Sequence, residues 1–165
     1  MNQNYSIDTS TFRDLAEFAQ QGQKENKEIA GTIGCDARGK IVKHDLLEAL
    51  TATEDHVSFD GQELAQHTAD NAQENLTTQV FHNHPNGTLD ASDADKEVFA
   101  QQWGHHPIMT VCERTKRTLL GMFDEDGKLA NISAWGTTGK VIALDASGNV
   151  SALADEEVSE YSQAA

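Results

Sequence analysis

Two cysteines, Cys35 and Cys112, are all that this chain of 165 residues contains. They stand far apart and in no CxxC spacing, which argues against a disulfide framework and a cysteine-built zinc knuckle; both are expected to be reduced and buried. Apolar runs approaching the roughly 20 residues of a bilayer span are missing as well. The polar start MNQNYSID lacks the charged and apolar regions of a signal peptide. The expectation is therefore a soluble, cytoplasmic protein with no membrane partner. Basic residues are scarce, 12 Lys and Arg against 27 Asp and Glu, for a formal charge of −15. That balance repels phosphate backbones, so nucleic acid is not an expected partner. The same acidity either attracts a basic protein tail or simply keeps the surface solvated.

What is present suffices for one hydrophobic core, with 38% apolar residues. The spacing of Phe12, Leu15, Ala16 and Ala19 predicts an amphipathic helix over 10–20. Two β-rich stretches, Glu28 to Cys35 and Gly39 to His44, flank the turn signal Asp36-Ala37-Arg38-Gly39 and predict a hairpin, with Glu28 at the start of a core strand. A second helix is expected between Phe59 and Asn75, capped by Asp60, with Leu64, Ala65, Ala69 and Ala72 along one face. TTQVFHNH, Thr77 to His84, reads as a strand stopped by the turn-forming Pro85-Asn86-Gly87. Ser92 opens a third helix whose buried stripe would be Ala94, Val98, Phe99 and Trp103. Further strands are expected at 108–113, 118–123, 129–134 and 140–144. The outcome is a mixed α/β domain dominated by antiparallel hairpins over residues 1–154, followed by an acidic, frayed or disordered tail at 155–165.

Chemistry concentrates in one place. His82 and His84 are two apart on a predicted strand, so their side chains leave the same face and can converge on one ion. Asp95, in the first turn of the next helix, can bring a carboxylate to the same point. Two imidazoles and a carboxylate leave the fourth tetrahedral position of zinc open for water, the arrangement of a hydrolytic site. Zinc lowers the pKa of that water to about 7, and the site then needs a proton acceptor. Ser92, one turn before Asp95, can offer its hydroxyl to an oxyanion.

The run HNHP (His82 to Pro85), six residues, Ser92, two residues and Asp95 resembles the signature of the JAMM or MPN-plus (JAB domain) metalloproteases. By average composition such a five-residue pattern arises in roughly 1 in 20,000 chains of this length. The resemblance implies an upstream glutamate in an E-x-x-G context that holds the zinc-bound water and shuttles its proton. EIAG, Glu28 to Gly31, matches that context, with Glu25 the nearest competitor. It further implies a curved mixed sheet with flanking helices over about Ser10 to Leu144. The implied activity is hydrolysis of amide bonds in a protein or peptide, often isopeptide bonds at ubiquitin-like tails, with zinc as cofactor.

Other readings stand beside this one. Ser92-x-x-Asp95 alone is a helix-capping pattern. The same fold also serves as a noncatalytic binding scaffold where the ligands are lost, although here every ligand position is filled. A RadC-like, DNA-associated reading follows from a similar HNHP-x-G stretch and is opposed by the charge. His105 and His106 are expected to complement a helix C-terminus, with an accessory role at the site as the alternative. His44, His56 and His67 lack partner spacing and read as surface residues. GTTGK, Gly136 to Lys140, has too few residues between its glycines for a phosphate loop.

Overall fold

A computed structural model describes residues 4–162. The chain runs β1 (Asn4–Ile7), α1 (Thr9–Glu25), β2 (Ala30–Cys35), β3 (Lys40–Leu46), β4 (Ala49–Ala52), β5 (Val57–Phe59), α2 (Gly61–Gln73), β6 (Thr77–His84), α3 (Asp93–Ala100), β7 (His106–Val111), β8 (Thr118–Phe123), β9 (Asn131–Ala134), β10 (Thr137–Gly139), β11 (Val141–Leu144), β12 (Val150–Ala152) and α4 (Asp155–Tyr161). Ten strands form one sheet in the order β10-β9-β1-β3-β2-β6-β7-β8-β11-β12, and β4 and β5 make a separate hairpin. The pairs β1 with β3, β1 with β9 and β6 with β7 are parallel, and the others are antiparallel. The sheet curls until its ends nearly meet: a Cβ on Gly139 of β10 would lie 2.9 Å from that of Ala152 in β12. This is the expected mixed α/β architecture, a curved and mainly antiparallel sheet flanked by helices. Among the described residues no helix is long and apolar enough to cross a membrane.

Both sheet faces carry a core. On one, Phe12, Leu15, Ala16 and Ala19 of α1 pack with Phe81, Met109, Leu120 and Ile132. Their spacing supplies the continuous stripe that a helix buries on a sheet. On the other face Leu89, Phe99, Ile108, Leu119 and Val141 cluster, with Val158 and Tyr161 of α4 packed against them. The central strands are therefore buried on both sides, and β6 shows no alternation of buried and exposed residues beyond Thr77. Cys35 and Cys112 are free and buried.

Three expectations are corrected. The segment from residue 155, expected to be disordered, forms α4 as far as Tyr161, and residues 163–165 lie outside the described region. Val158 and Tyr161, three apart, share a helix face that finds the second core, and the acidic first turn suits the positive helix end. In α2 the residues Ala65, Ala69 and Ala72 are exposed, because alanine brings too little apolar area to choose a face. Polar contacts choose it instead: His67 Nδ1 lies 2.7 Å from Thr32 Oγ1, and Asn71 Nδ2 donates to Thr78 Oγ1 at 2.7 Å. Finally, α3 ends at Ala100 and buries only Phe99, leaving Val98 39% and Trp103 58% exposed.

Candidate metal centre

The end of β6 and the start of α3 build the site. His82 and His84 occupy one face of the strand, and the chain then turns through Pro85-Asn86-Gly87, where Gly87 takes a φ of 84° that a residue with a Cβ adopts only under strain. The returning loop is pinned by Leu89, which is buried and donates its N–H to the Tyr161 carbonyl at 2.7 Å. Ser92 caps α3: its Oγ accepts from the Asp95 N–H at 3.1 Å, while its own N–H donates to Asp95 Oδ2 at 3.0 Å. This reciprocal box fixes the Asp95 carboxylate where it meets both histidines. The capping and ligand readings of Ser92-x-x-Asp95 are thus compatible in geometry.

The three donor groups converge. His82 Nε2 lies 3.0 Å from Asp95 Oδ1, His84 Nε2 lies 3.1 Å from Asp95 Oδ2, and the two Nε2 atoms are 3.1 Å apart. Zinc bonds of about 2.0–2.1 Å in a tetrahedron separate neighbouring ligand atoms by about 3.3 Å, so the donor set fits a zinc ion with only small adjustment. No other group of three or more His, Cys, Asp or Glu converges in this way among the described residues. Burial alone would raise the Asp95 carboxyl, but hydrogen bonds and charge from His82 and His84 hold it well below the ordinary carboxylate range. Burial likewise pushes His82 down and is outweighed by Asp95, so its pKa is raised. His84 Nδ1 is buried with no hydrogen-bond partner among the described residues; packing and its Nε2 contacts hold the ring.

Glu28 sits two residues before β2 rather than within it, yet it is only 6% exposed. The backbone around it is tied on three sides. Asn83, on the opposite face of β6 from the histidines, accepts the Ile29 N–H at 2.6 Å and donates to the Lys27 carbonyl at 3.3 Å. The Glu28 N–H itself donates to the Thr53 carbonyl at 2.8 Å. Ala30 pairs with His82 across the sheet, and Glu28, two residues before it, lines a cavity with His82 and a cleft with His84. Burial raises the Glu28 pKa, an effect that the charges of His82 and His84 partly offset. Glu28, His84 and Ser92 line one cleft of about 300 Å³ together with Glu54, Asp55 and Asp90. Sequence reasoning missed Asn83 and Thr53; an asparagine between two histidines carries no signal until the strand's neighbours are known.

His105 and His106 do not serve as charges at a helix end, since α3 stops earlier and both rings are buried. His105 Nδ1 lies 3.0 Å from the Tyr5 hydroxyl. His106 stacks on Phe99 with centroids 4.5 Å apart and accepts the Val80 N–H at 3.2 Å. Burial lowers both, His106 to about 4. Neither belongs to the converging group.

No protein-family model matches this sequence, and no curated protein matches it. Solved structures do. Protein DSY2949 from Desulfitobacterium hafniense aligns with a TM-score of 0.61 and 18% identity over 79% of this chain and 92% of that one. AF2198, a JAB1/MPN domain protein from Archaeoglobus fulgidus, aligns with a TM-score of 0.52 and 12% identity over 78% of this chain and 97% of that one. At these identities the likeness is one of fold, and the fold is of the JAB1/MPN kind.

Proposed function

We propose that the protein is a zinc-dependent peptidase or isopeptidase that hydrolyses an amide bond in a protein or peptide. The carrying observation is the convergence of His82, His84 and Asp95 within 3.0–3.1 Å of one another, beside a buried carboxyl at Glu28. Bound zinc supplies a water of pKa about 7 and an electrophile for the carbonyl. Glu28 accepts the water's proton and returns it to the leaving amine; a carboxyl whose pKa is raised by burial is better matched to that double role than an exposed one. The Ser92 oxygen already accepts the Asp95 N–H, which leaves its hydroxyl proton to donate to the carbonyl oxygen as charge develops there. The acidic side of the cleft, Glu54, Asp55 and Asp90, favours a substrate with a basic segment, of which a ubiquitin-like tail is one class. A formal charge of −15 disfavours a nucleic-acid substrate.

Metal analysis of wild type and Glu28→Gln, paired with cleavage of ubiquitin-like fusions and linear peptides with and without chelator, tests this reading. Both proteins are expected to hold one zinc, and cleavage is expected to fall about 10²–10⁴-fold in Glu28→Gln. Full activity in that variant removes Glu28 from the mechanism. Cleavage indifferent to chelator removes the metal, and stoichiometric zinc without hydrolysis of any substrate makes the domain a scaffold.

A further inference from the structure

We propose that the cavity between the β4–β5 hairpin and α3 holds a single aliphatic side chain, Val, Leu, Ile or Met, of an extended peptide substrate next to the bond that is cut. The proposal rests on the reading of this site as an amide hydrolase and adds the side-chain class that it selects.

The cavity measures about 100 Å³ and is walled by Val57 and Phe59 of β5, Val80 of β6, and Ala94, Val98 and Phe99 of α3. Its polar lining is Glu28, Asp55, His56, His82 and Asp95, so a group filling it lies beside the site where hydrolysis is assigned. An apolar cavity of about 150 Å³ takes a benzene molecule. By that measure about 100 Å³ holds a branched group of three or four carbons, whereas an indole or a phenol would project out of it. Carboxylate side chains are disfavoured as well, since three carboxyls, Glu28, Asp55 and Asp95, border the space against two imidazoles, His56 and His82.

Two features of the chain build this pocket. Helix α3 carries Ala94 and Val98 four residues apart, a helical apolar stripe, yet the fold covers neither and buries only Phe99. Those two side chains remain as an open wall of the cavity instead of joining the core. The facing wall is a hairpin outside the main sheet, with Val57, Ser58 and Phe59 all half-buried. Its turn is joined to the catalytic segment, because Glu28 donates its N–H to the Thr53 carbonyl at 2.8 Å and Thr53 donates to the His56 carbonyl at 2.7 Å. The pocket wall and Glu28 therefore keep a fixed relation, which is what selecting a residue near the scissile bond requires.

A mixed pool of peptides, cut by the zinc-loaded protein with cleavage sites read by mass spectrometry, tests the assignment. One position beside the cut bond is expected to favour Val, Leu, Ile or Met over Gly and Asp at least about tenfold, since a hydrophobic pocket discriminates by about that much or more per methylene. Ala94→Leu, which fills the cavity, is expected to move that position to Gly and Ala, and Val98→Ala, which enlarges it, to admit Phe. No preference at any position, or a preference that neither variant moves, overturns the pocket and leaves hydrolysis standing. Binding is read independently on the metal-free protein through the methyl resonances of Ala94 and Val98, using capped Gly-Gly-Leu-Gly-Gly and its all-glycine counterpart. At least about tenfold tighter binding of the leucine peptide is expected, and equal affinity overturns the pocket. Absence of any cleavage by zinc-loaded wild type sinks the hydrolase reading instead, and the binding comparison then decides the pocket alone.

Discussion

Acid should destabilise this protein through a histidine that lies outside the candidate metal centre. His106 is fully buried, stacked on Phe99, and committed through Nδ1 to the Val80 N–H. Burial pushes its pKa from 6.5 to about 4. A basic group with a depressed folded pKa is protonated first in the unfolded chain, so between pH 6.5 and 4 the unfolded state holds more protons and stability falls as pH falls. Each unit of pH in that window removes about 1.4 kcal/mol, and the full 2.5 units about 3 kcal/mol. Other groups titrate nearby. Asp95, with its lowered pKa, loses its contribution only as pH falls below its ordinary value of 3.8, beneath this window, while His82, with its raised pKa, keeps its contribution at low pH and gives it up as pH rises. The informative quantity is therefore the difference between wild type and His106→Gln, which removes the titration and can still accept the Val80 N–H. Urea unfolding in chelator at half-unit steps from pH 7.5 to about 4 provides it. Wild type should lose about 3 kcal/mol more than the variant as pH approaches 4, with the divergence beginning near 6.5. Parallel curves would refute the burial argument for His106.

Two more outcomes follow from the loop between the histidines and Asp95. Ser92→Ala removes the cap on the Asp95 N–H and should cost about 0.5–2 kcal/mol in thermal or urea unfolding; if the hydroxyl also serves the oxyanion, kcat should fall about 100-fold or more with zinc content unchanged, and an unchanged kcat would confine Ser92 to the cap. Ending the chain after Ala154 removes Val158 and Tyr161 from the second core and the carbonyl that holds Leu89. Val158 and Tyr161 are only partly buried, so losing them corresponds to about 1–3 kcal/mol, and zinc affinity should weaken with the loosened loop; calorimetry and competition with a chelator read both, and an unaffected variant would make α4 dispensable to the site.

The convergence of His82, His84 and Asp95 was legible because they lie in two short segments, 82–84 and 92–95, where strand and helix periodicities alone bring side chains to one point. Glu28 was legible less directly, through EIAG. What escaped depends on distant partners. The strand Asn4–Ile7 pairs in parallel with β3 and β9, the latter more than a hundred residues away, and nothing local announces it. The hairpin Ala49–Phe59 has a weak pattern because no residue of its two strands is fully buried: β4 is exposed except at Ala52, and β5 is half-buried throughout. Helix α4 looked like a solvated tail since five of its seven residues are polar or acidic, Asp155, Glu156, Glu157, Ser159 and Glu160, and two apolar residues proved enough to seat it. In α3 the sequence pattern predicted a buried stripe that the fold leaves open, and that departure marks the pocket beside the site.

One strand sets the geometry of both halves of the candidate site. β6 presents His82 and His84 on one face, while Asn83 on the other ties down Lys27 and Ile29 on either side of Glu28. Sliding β6 by one residue against β2 would exchange these faces and destroy both arrangements at once. The register is enforced by size: Gly31 pairs with Phe81, and a Cβ at position 31 would collide with the Phe81 ring and the Asp45 carbonyl. A slipped β6 would set that ring against Ala30 or Thr32, which have side chains where Gly31 has none. The glycine three residues after Glu28 is thus the residue that lets Phe81 sit where it does, and through that contact it keeps the glutamate beside the histidines.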